Sequence, residues 1–219
     1  MNMRERFDYD LETLRNKLIQ LGSLAEVAVS KAIHSLEEQN IELALQVIDE
    51  DIQVDMINEE INDFSILLIA KQQPVATDLR RIIVATRIAS DIERMADFAV
   101  NIAKSTIRVG QDEKIVSLNN IKKMHEIASK MLSLSIKAFN EEDVVLAKNV
   151  ADMDDEVDDL YGVTIRELLE LTPQNKEWMN QLSQLFFVAK YIERIADHAT
   201  NISESILYLV KGRHYDLNN

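Results

Sequence analysis

The sequence contains no cysteine, which excludes disulfides, thiolate metal sites and cysteine nucleophiles. It has only 2 prolines and 4 glycines, and aromatic residues make up 5% of the chain. Sheets and their turns use more of these residue types, so long uninterrupted helices are expected. No run of about 18 apolar residues occurs, and the opening MNMRERFDYD lacks the apolar stretch of a signal peptide. We therefore expect a cytoplasmic protein without direct membrane insertion.

Positive charge is also scarce. The chain has 24 lysines and arginines against 38 aspartates and glutamates, so its formal net charge is −14. Such a surface repels the phosphate backbones of nucleic acids, and we expect no nucleic acid partner. The charge suits multivalent cations, or a basic patch on a partner protein.

Catalytic motifs are missing as well. No phosphate-cradling glycine loop and no G-x-S-x-G nucleophile motif occur. The Glu-x-x-His motif of di-iron helical bundles is absent, because the residues three positions before the four histidines are Lys31, Lys122, Ile195 and Lys211. These absences predict that the protein is not an enzyme.

Apolar residues recur at spacings of three and four in six segments, which predicts six long helices. The predicted N-terminal caps are Asp8 or Asp10, Asn40, Thr77 or Asp78, Ser117 and Asp143, and the sixth helix is expected from about Lys176. The predicted stops are about Glu38, Pro74, Gly110, the Thr172–Pro173 pair and Gly212.

A repeated pattern is the most informative feature of the chain. Residues 91–101 read DIERMADFAVN and residues 191–201 read YIERIADHATN. A shift of 103 likewise aligns the earlier helices, for example Val47, Asp51 and Val54 with Val150, Asp154 and Val157. The sequence therefore predicts an all-α fold of two tandem, pseudo-symmetric three-helix bundles, over residues 1–112 and 113–219.

Each repeat carries two acidic pairs spaced i, i+4, which places both side chains of a pair on one helix face. If the second and third helices pack side by side, four carboxylates converge in each repeat, and such hard oxygen ligands suit Fe, Mn, Mg, Ca or Zn. The candidate metal ligands are Asp51, Asp55, Glu93 and Asp97 in the first repeat and Asp154, Asp158, Glu193 and Asp197 in the second, with Asn101 and Asn201 as possible additional ligands.

A simpler interpretation of these pairs stays open at this point. Long helices often carry solvated charged faces with ion pairs, and Arg94 and Arg194 are positioned to pair with nearby acids. His198 stands where the first repeat has Phe98, and this exchange favours a packing role for both side chains.

The two repeats resemble the PhoU family. The resemblance covers nearly the whole chain and is carried by two ER-x-x-D-x-x-x-N patterns, each with D-x-x-x-D on the preceding helix. The stretches QQPVATDLR at 72–80 and RERFDYDLETL at 4–14 are also similar to the family. Two departures stand out: Phe98 replaces a histidine that often follows the aspartate, and the second repeat lacks the QP-x-x-x-DLR turn.

The resemblance implies a non-catalytic regulator that restrains phosphate uptake and keeps phosphate-starvation signalling off in high phosphate. Its implied partners are the ATPase of the phosphate ABC transporter and the phosphate-response histidine kinase. It also implies multinuclear iron or zinc on the acidic faces, while the ligand chemistry leaves Mg or Mn open. A homodimer is expected for long acidic bundles of this kind.

Two other functions remain open from the sequence. The first is a carboxylate-based metal-dependent enzyme or metal store built on a helical bundle. The second is a coiled-coil-like scaffold without metal.

Overall fold

A computed structural model describes residues 3–111, 118–171 and 178–217. Within these ranges the chain is helical and contains no strand, which confirms the all-α prediction. The helices are α1 (Met3–Glu37), α2 (Ile41–Gln72), α3 (Ala76–Val109), α4 (Asn119–Glu141), α5 (Val144–Asp152), α6 (Asp154–Leu171) and α7 (Met179–Lys211). In this described part no helix is both long and apolar enough to cross a membrane.

Side-chain caps and glycines set several helix ends as predicted. The Asn40 side chain accepts a hydrogen bond from the Leu43 N–H at 3.0 Å, at the start of α2. Asp143 accepts from the two N–H groups of Val145 and Leu146 at 2.8 and 3.0 Å, at the start of α5. Gly212 ends α7 with a φ of 73°, a left-handed conformation that costs glycine little.

Other predicted starts are wrong. Helix α1 begins at Met3, ahead of Asp8 and Asp10, and the longer helix buries Phe7 in the core. Helix α3 has Val75 at its cap, so Thr77 and Asp78 lie inside its first turn. The predicted cap Ser117 and the predicted start at Lys176 lie outside the described residues. So does the predicted boundary between residues 112 and 113.

The predicted fifth helix is divided at Met153 into α5 and α6. Met153 keeps right-handed helical angles, but its N–H donates to the Val150 carbonyl oxygen at 3.1 Å. This bond spans three residues instead of four, so the helix has one tighter turn at this point. The six-helix prediction therefore holds with its fifth helix in two parts. Asp154 follows the break directly and is only 9% exposed.

The two repeats meet along α3 and α7 and along α1 and α4. Among the described elements, α2 packs only against α1 and α3, while α5 and α6 pack against α4, α7 and each other. The second-helix elements of the two repeats therefore lie at the outer edges, and α3 and α7 lie at the centre. These two central helices carry small side chains into the core, since Ala89, Ala96, Ala99, Ala189, Ala196 and Ala199 are fully buried.

The burial pattern repeats with the sequence. Each residue from 91 to 103 has the same degree of burial as the residue 100 positions later, between 191 and 203. In both stretches the isoleucines and the alanines are buried, while the glutamate and aspartate of the acidic pair are partly exposed. The repeated motif thus occupies equivalent positions at the edge of the core in both repeats.

Candidate functional site

The four candidate carboxylates of the first repeat lie where α2 packs against α3. Burial, followed by the negative charges of Asp55 and Asp97, raises the pKa of Asp51 to about 6. The pKa of Glu93 is also raised, first by burial and then by Asp97, with smaller contributions from Asp55 and Asp51. The charges of Asp55 and Asp97 therefore act on Asp51 and Glu93 across the packed helices.

The second repeat builds the same arrangement from α6 and α7. The pKa of Asp154 is raised to about 6, first by burial and then by the charges of Asp197, Asp158 and Glu193. The Thr200 hydroxyl, which donates to Asp154 Oδ2 at 3.1 Å, opposes this rise. Burial followed by the charge of Glu193 also raises the pKa of both Asp158 and Asp197. In each repeat the four predicted side chains thus lie close enough for their charges to interact, and their role as metal ligands stays a prediction.

Two carboxylate oxygens of the second site lack partners in the described part of the chain. Asp154 Oδ1 and Glu193 Oε2 are both buried and accept no hydrogen bond there. A buried polar atom without a partner costs about 1–3 kcal/mol, and more when it is charged. A cation bound between these oxygens would remove that cost.

The two repeats differ in the cations beside the carboxylates. In the first, Arg94 is 3.9 Å from Glu93 and 4.0 Å from Asp97, and its side chain is largely exposed. In the second, Lys190 Nζ lies 2.6 Å from Glu193 Oε1 and also sits over the Tyr161 ring, 5.3 Å from its centroid. The solvated-face interpretation therefore explains the acids only in part, because these contacts leave most of the eight carboxylates without an ion-pair partner among the described residues.

The donor set fits a hard cation by its chemistry. Clustered carboxylate oxygens with raised pKa values favour a bound multivalent ion over bare mutual repulsion. Within the described residues, however, no three His, Asp or Glu side chains already stand around one point as the ligands of a metal ion. In this conformation the carboxylate side chains lie near one another but do not form a coordination sphere. They would have to rotate to bind a metal ion.

His198 lies at the seam between α3 and α7. Its Nδ1 is 2.9 Å from Asp91 Oδ1, and its ring is 5.8 Å from that of Phe98, which stacks on Tyr191. The amide of Asn201 is 3.5 Å from His198 Nδ1, so this predicted additional ligand lies beside the histidine. For Asn101 a ligand role stays a prediction.

The sequence interpretation missed Asp91, although the repeat contained the clue. Asp91 aligns with Tyr191 and Phe98 aligns with His198, so the two repeats differ at both positions together. Across the seam these residues form an Asp91–His198 pair and a Phe98–Tyr191 pair. A joint exchange of this kind indicates that the two positions are in contact.

Comparison with known proteins identifies the fold and its relatives. The sequence model of the PhoU domain matches residues 18–106 and 121–206. A Clostridium acetobutylicum protein named phosphate-specific transport system accessory protein PhoU homolog is 39% identical over 216 residues, covering 98% of this chain and 99% of that protein. The crystal structure of PhoU from Pseudomonas aeruginosa has a TM-score of 0.90 and 31% identity, covering 94% of this chain and 100% of that one.

A second solved structure agrees. The phosphate transport system regulatory protein PhoU from Streptococcus pneumoniae also has a TM-score of 0.90, with 27% identity, and it covers 96% of this chain and 99% of its own. The domain matches fall on both repeats, and the structural matches extend over nearly the whole chain. This chain is a member of the PhoU family.

Proposed function

We propose that this chain is a non-catalytic cytoplasmic regulator of phosphate uptake and of phosphate-starvation signalling. It acts as an adaptor between the ATPase of the phosphate ABC transporter and the phosphate-response histidine kinase, and it represses both processes when phosphate is plentiful. The observation that carries this proposal is the 39% identity to a phosphate-specific transport accessory protein over 98% of the chain. The absence of a catalytic motif in the sequence is consistent with it.

We further propose that both carboxylate sites bind metal. Asp51, Asp55, Glu93 and Asp97 would hold it in the first repeat, and their counterparts Asp154, Asp158, Glu193 and Asp197 in the second. Iron or zinc in multinuclear form is the leading candidate, with Mg or Mn as alternatives. The metal would supply the positive charge that the buried oxygens of Asp154 and Glu193 lack.

The test of the regulatory role is capture from the native cell. Cells are grown in high and in low phosphate and crosslinked, and the proteins recovered with this chain are identified by mass spectrometry. We expect the transporter ATPase or the sensor kinase, in an amount that changes with phosphate. A deletion strain that still represses its phosphate-starvation genes in rich phosphate would contradict the proposal. The homodimer remains a prediction, and sedimentation of the purified chain tests it.

The test of the metal sites is elemental analysis of untagged protein. Asp97→Asn should lower the metal content of the first site and Asp197→Asn that of the second, each without affecting the other. Asp159→Asn is the matched control, because this exposed residue of α6 removes the same charge outside the four-carboxylate set. Equal metal content in the parent protein and both variants would refute the ligand assignment.

The alternative function is a carboxylate-based metal-dependent enzyme or metal store. The clustering of acids with raised pKa values favours it, because such groups bind metal and exchange protons near neutral pH. Stoichiometric consumption of oxygen when iron is added to metal-free protein would support an oxidase. Unchanged oxygen levels, together with phosphate-dependent recovery of a transport partner, would support the regulator.

A further inference from the structure

A row of apolar side chains lies on the outer face of α2, where none of the described helices covers it. Leu45, Ile52, Met56 and Leu67 are 50, 62, 55 and 43% exposed. Their spacings of seven, four and eleven residues place them on one side of the helix. Helix α2 packs only against α1 and α3 among the described elements, so this side faces solvent. We call these four residues the α2 row.

The second repeat provides an internal comparison for the α2 row. A shift of 103 residues aligns its members with Lys148, Asp155, Asp159 and Glu170 on α5 and α6, and all four of these are exposed. The same outward positions are therefore apolar in one repeat and charged in the other. Since the charged version is compatible with the fold, the fold does not require the apolar one.

The size of the patch also calls for an explanation. Four large side chains that are each about half exposed leave on the order of 400 Å² of apolar surface, which is the scale at which an exposed patch indicates a binding site. Ile66, at 66% exposed, extends the patch at the C-terminal end of α2, but its counterpart Leu169 is also apolar and 55% exposed, so the comparison between the repeats rests on the four residues of the row. Scattered single apolar residues would need no such explanation, but four on one side of a single helix do.

The surroundings of the α2 row are acidic. Helix α2 contains eight aspartates and glutamates but only one basic residue, Lys71. Asp49, Glu59 and Asp63 share the outer face with the row, are exposed, and have no ion-pair partner among the described residues. A partner that covers the row must therefore bring apolar contacts together with positive charge.

We propose that the α2 row is the docking surface for another protein, which presents apolar side chains bordered by lysine or arginine. The inference deepens the proposed function, on which it rests for the idea that the chain works by binding proteins. A second copy of this chain is disfavoured as the occupant, because a two-fold contact through the row would bring the acids of one copy against the same acids of the other. The docked segment would resemble an amphipathic helix laid along α2.

The first experiment is site-specific photocrosslinking of the full chain in its native cell. A photoreactive amino acid replaces Ile52 in one strain and Asp155, its counterpart in the second repeat, in another. We expect position 52 to crosslink to a segment of another protein with apolar residues and lysine or arginine within one helical turn of each other, and position 155 not to do so. No product at position 52, equal products at both positions, or a product with a second copy of this chain would overturn the proposal.

A transplant variant supplies the second readout. Ile52→Asp with Met56→Asp gives α2 the residues that α6 has at the same places. Both sites are exposed, so the melting temperature should change little. In a pull-down with this variant, recovery of the protein that was identified by crosslinking at position 52 should fall at least tenfold. Asp155→Asn with Asp159→Asn changes the charge at the matched control positions and should leave recovery unchanged. Equal recovery from the transplant variant and the parent would overturn the proposal.

The outcomes separate this inference from the proposed function. If position 52 crosslinks to a protein of the expected chemistry and neither the transporter ATPase nor the sensor kinase is captured from cells, the docking surface stands and the adaptor role fails. If either of these partners is captured from cells but position 52 crosslinks to no other protein, the adaptor role stands and the docking surface is refuted.

Discussion

Replacing Asp154 with asparagine should stabilise the protein at neutral pH when no metal is present. This aspartate is 9% exposed, its Oδ1 has no partner among the described residues, and it lies near the carboxylates of Asp158, Glu193 and Asp197. Asparagine has nearly the same shape, can still accept the hydrogen bond from Thr200, and carries no charge. A buried charge without compensation is therefore removed at little cost in packing.

The sign and size of the effect follow from the pKa of Asp154. In the folded protein it is about 6, against an ordinary value of 3.8. Between these values the folded state binds more protons than the unfolded state, so the free energy of unfolding falls as pH rises through this window. A shift of this size corresponds to about 3 kcal/mol if it is taken in full. Solvent screening of the partly hydrated cluster reduces it to roughly 1–2 kcal/mol.

The assay is thermal unfolding in the presence of a chelator at pH 4 and at pH 7.5. The parent protein should lose part of its stability at the higher pH, and Asp154→Asn should recover about 3–6 °C of melting temperature there. Some pH dependence should remain, because burial also raises the pKa of Asp51 to about 6. Asp155→Asn is the control, since it removes the same charge from an exposed neighbour on α6.

Two results would refute this reasoning. If Asp154→Asn lowers the melting temperature at pH 7.5 in chelator, its carboxylate is stabilising without a metal. If Asp155→Asn stabilises as much, the effect comes from overall net charge and not from burial.

Three further predictions concern other contacts. Lys190→Met should raise the affinity of the second site for Mn²⁺, measured by titration calorimetry, because Glu193 Oε1 loses its competing cation; unchanged affinity would contradict this. Gly22→Ala should destabilise by about 1–3 kcal/mol in urea unfolding, because a Cβ there would overlap Ile136 Cδ1. Adding Ile136→Val should restore part of the loss, and no rescue would contradict the overlap. Asn40→Ala should cost about 1 kcal/mol in the same assay, with Asn40→Ser as the conservative control for its capping bond to α2.

The fold was largely predictable because its determinants are local. Apolar spacing fixed which segments are helical, and side chains such as Asn40 and Asp143 satisfy the N–H groups of the turn that follows them directly. The division at Met153 was not predictable, since neither proline nor glycine marks it. In the first repeat the matching Glu50 is held by Lys31 at 2.6 Å, whereas the residues 103 positions later are Met153 and Leu134. The repeats thus differ in a tertiary contact that the local sequence does not show.

The sequence predicted which acidic residues share a helix face, but it did not predict how deeply each one is buried. Spacing of i, i+4 is enough to place Glu93 with Asp97 on one face, and the repeat indicated that the second and third helices of each unit share a site. The burial of Asp154 depends on how far α6 is shifted along its axis relative to the helices packed against it, and so does the position of Lys190 and Glu193 beside it. The spacing of apolar residues along a helix carries no information about this axial shift.

The duplication separates what the fold needs from what has been added to it. The alanine seam and the four carboxylates occur in both repeats, whereas the α2 row occurs in one. The buried alanines contribute to stability. Burial raises the pKa of Asp51 and of Asp154 alike, so these two carboxylates oppose folding at neutral pH when no cation is bound. Acids that served only solubility would lie where water solvates them, as exposed Asp155 and Asp159 do, whereas Asp51 is partly buried and Asp154 is buried. Two carboxylates that cost stability at the same place in both repeats therefore favour the proposal that each site binds a cation.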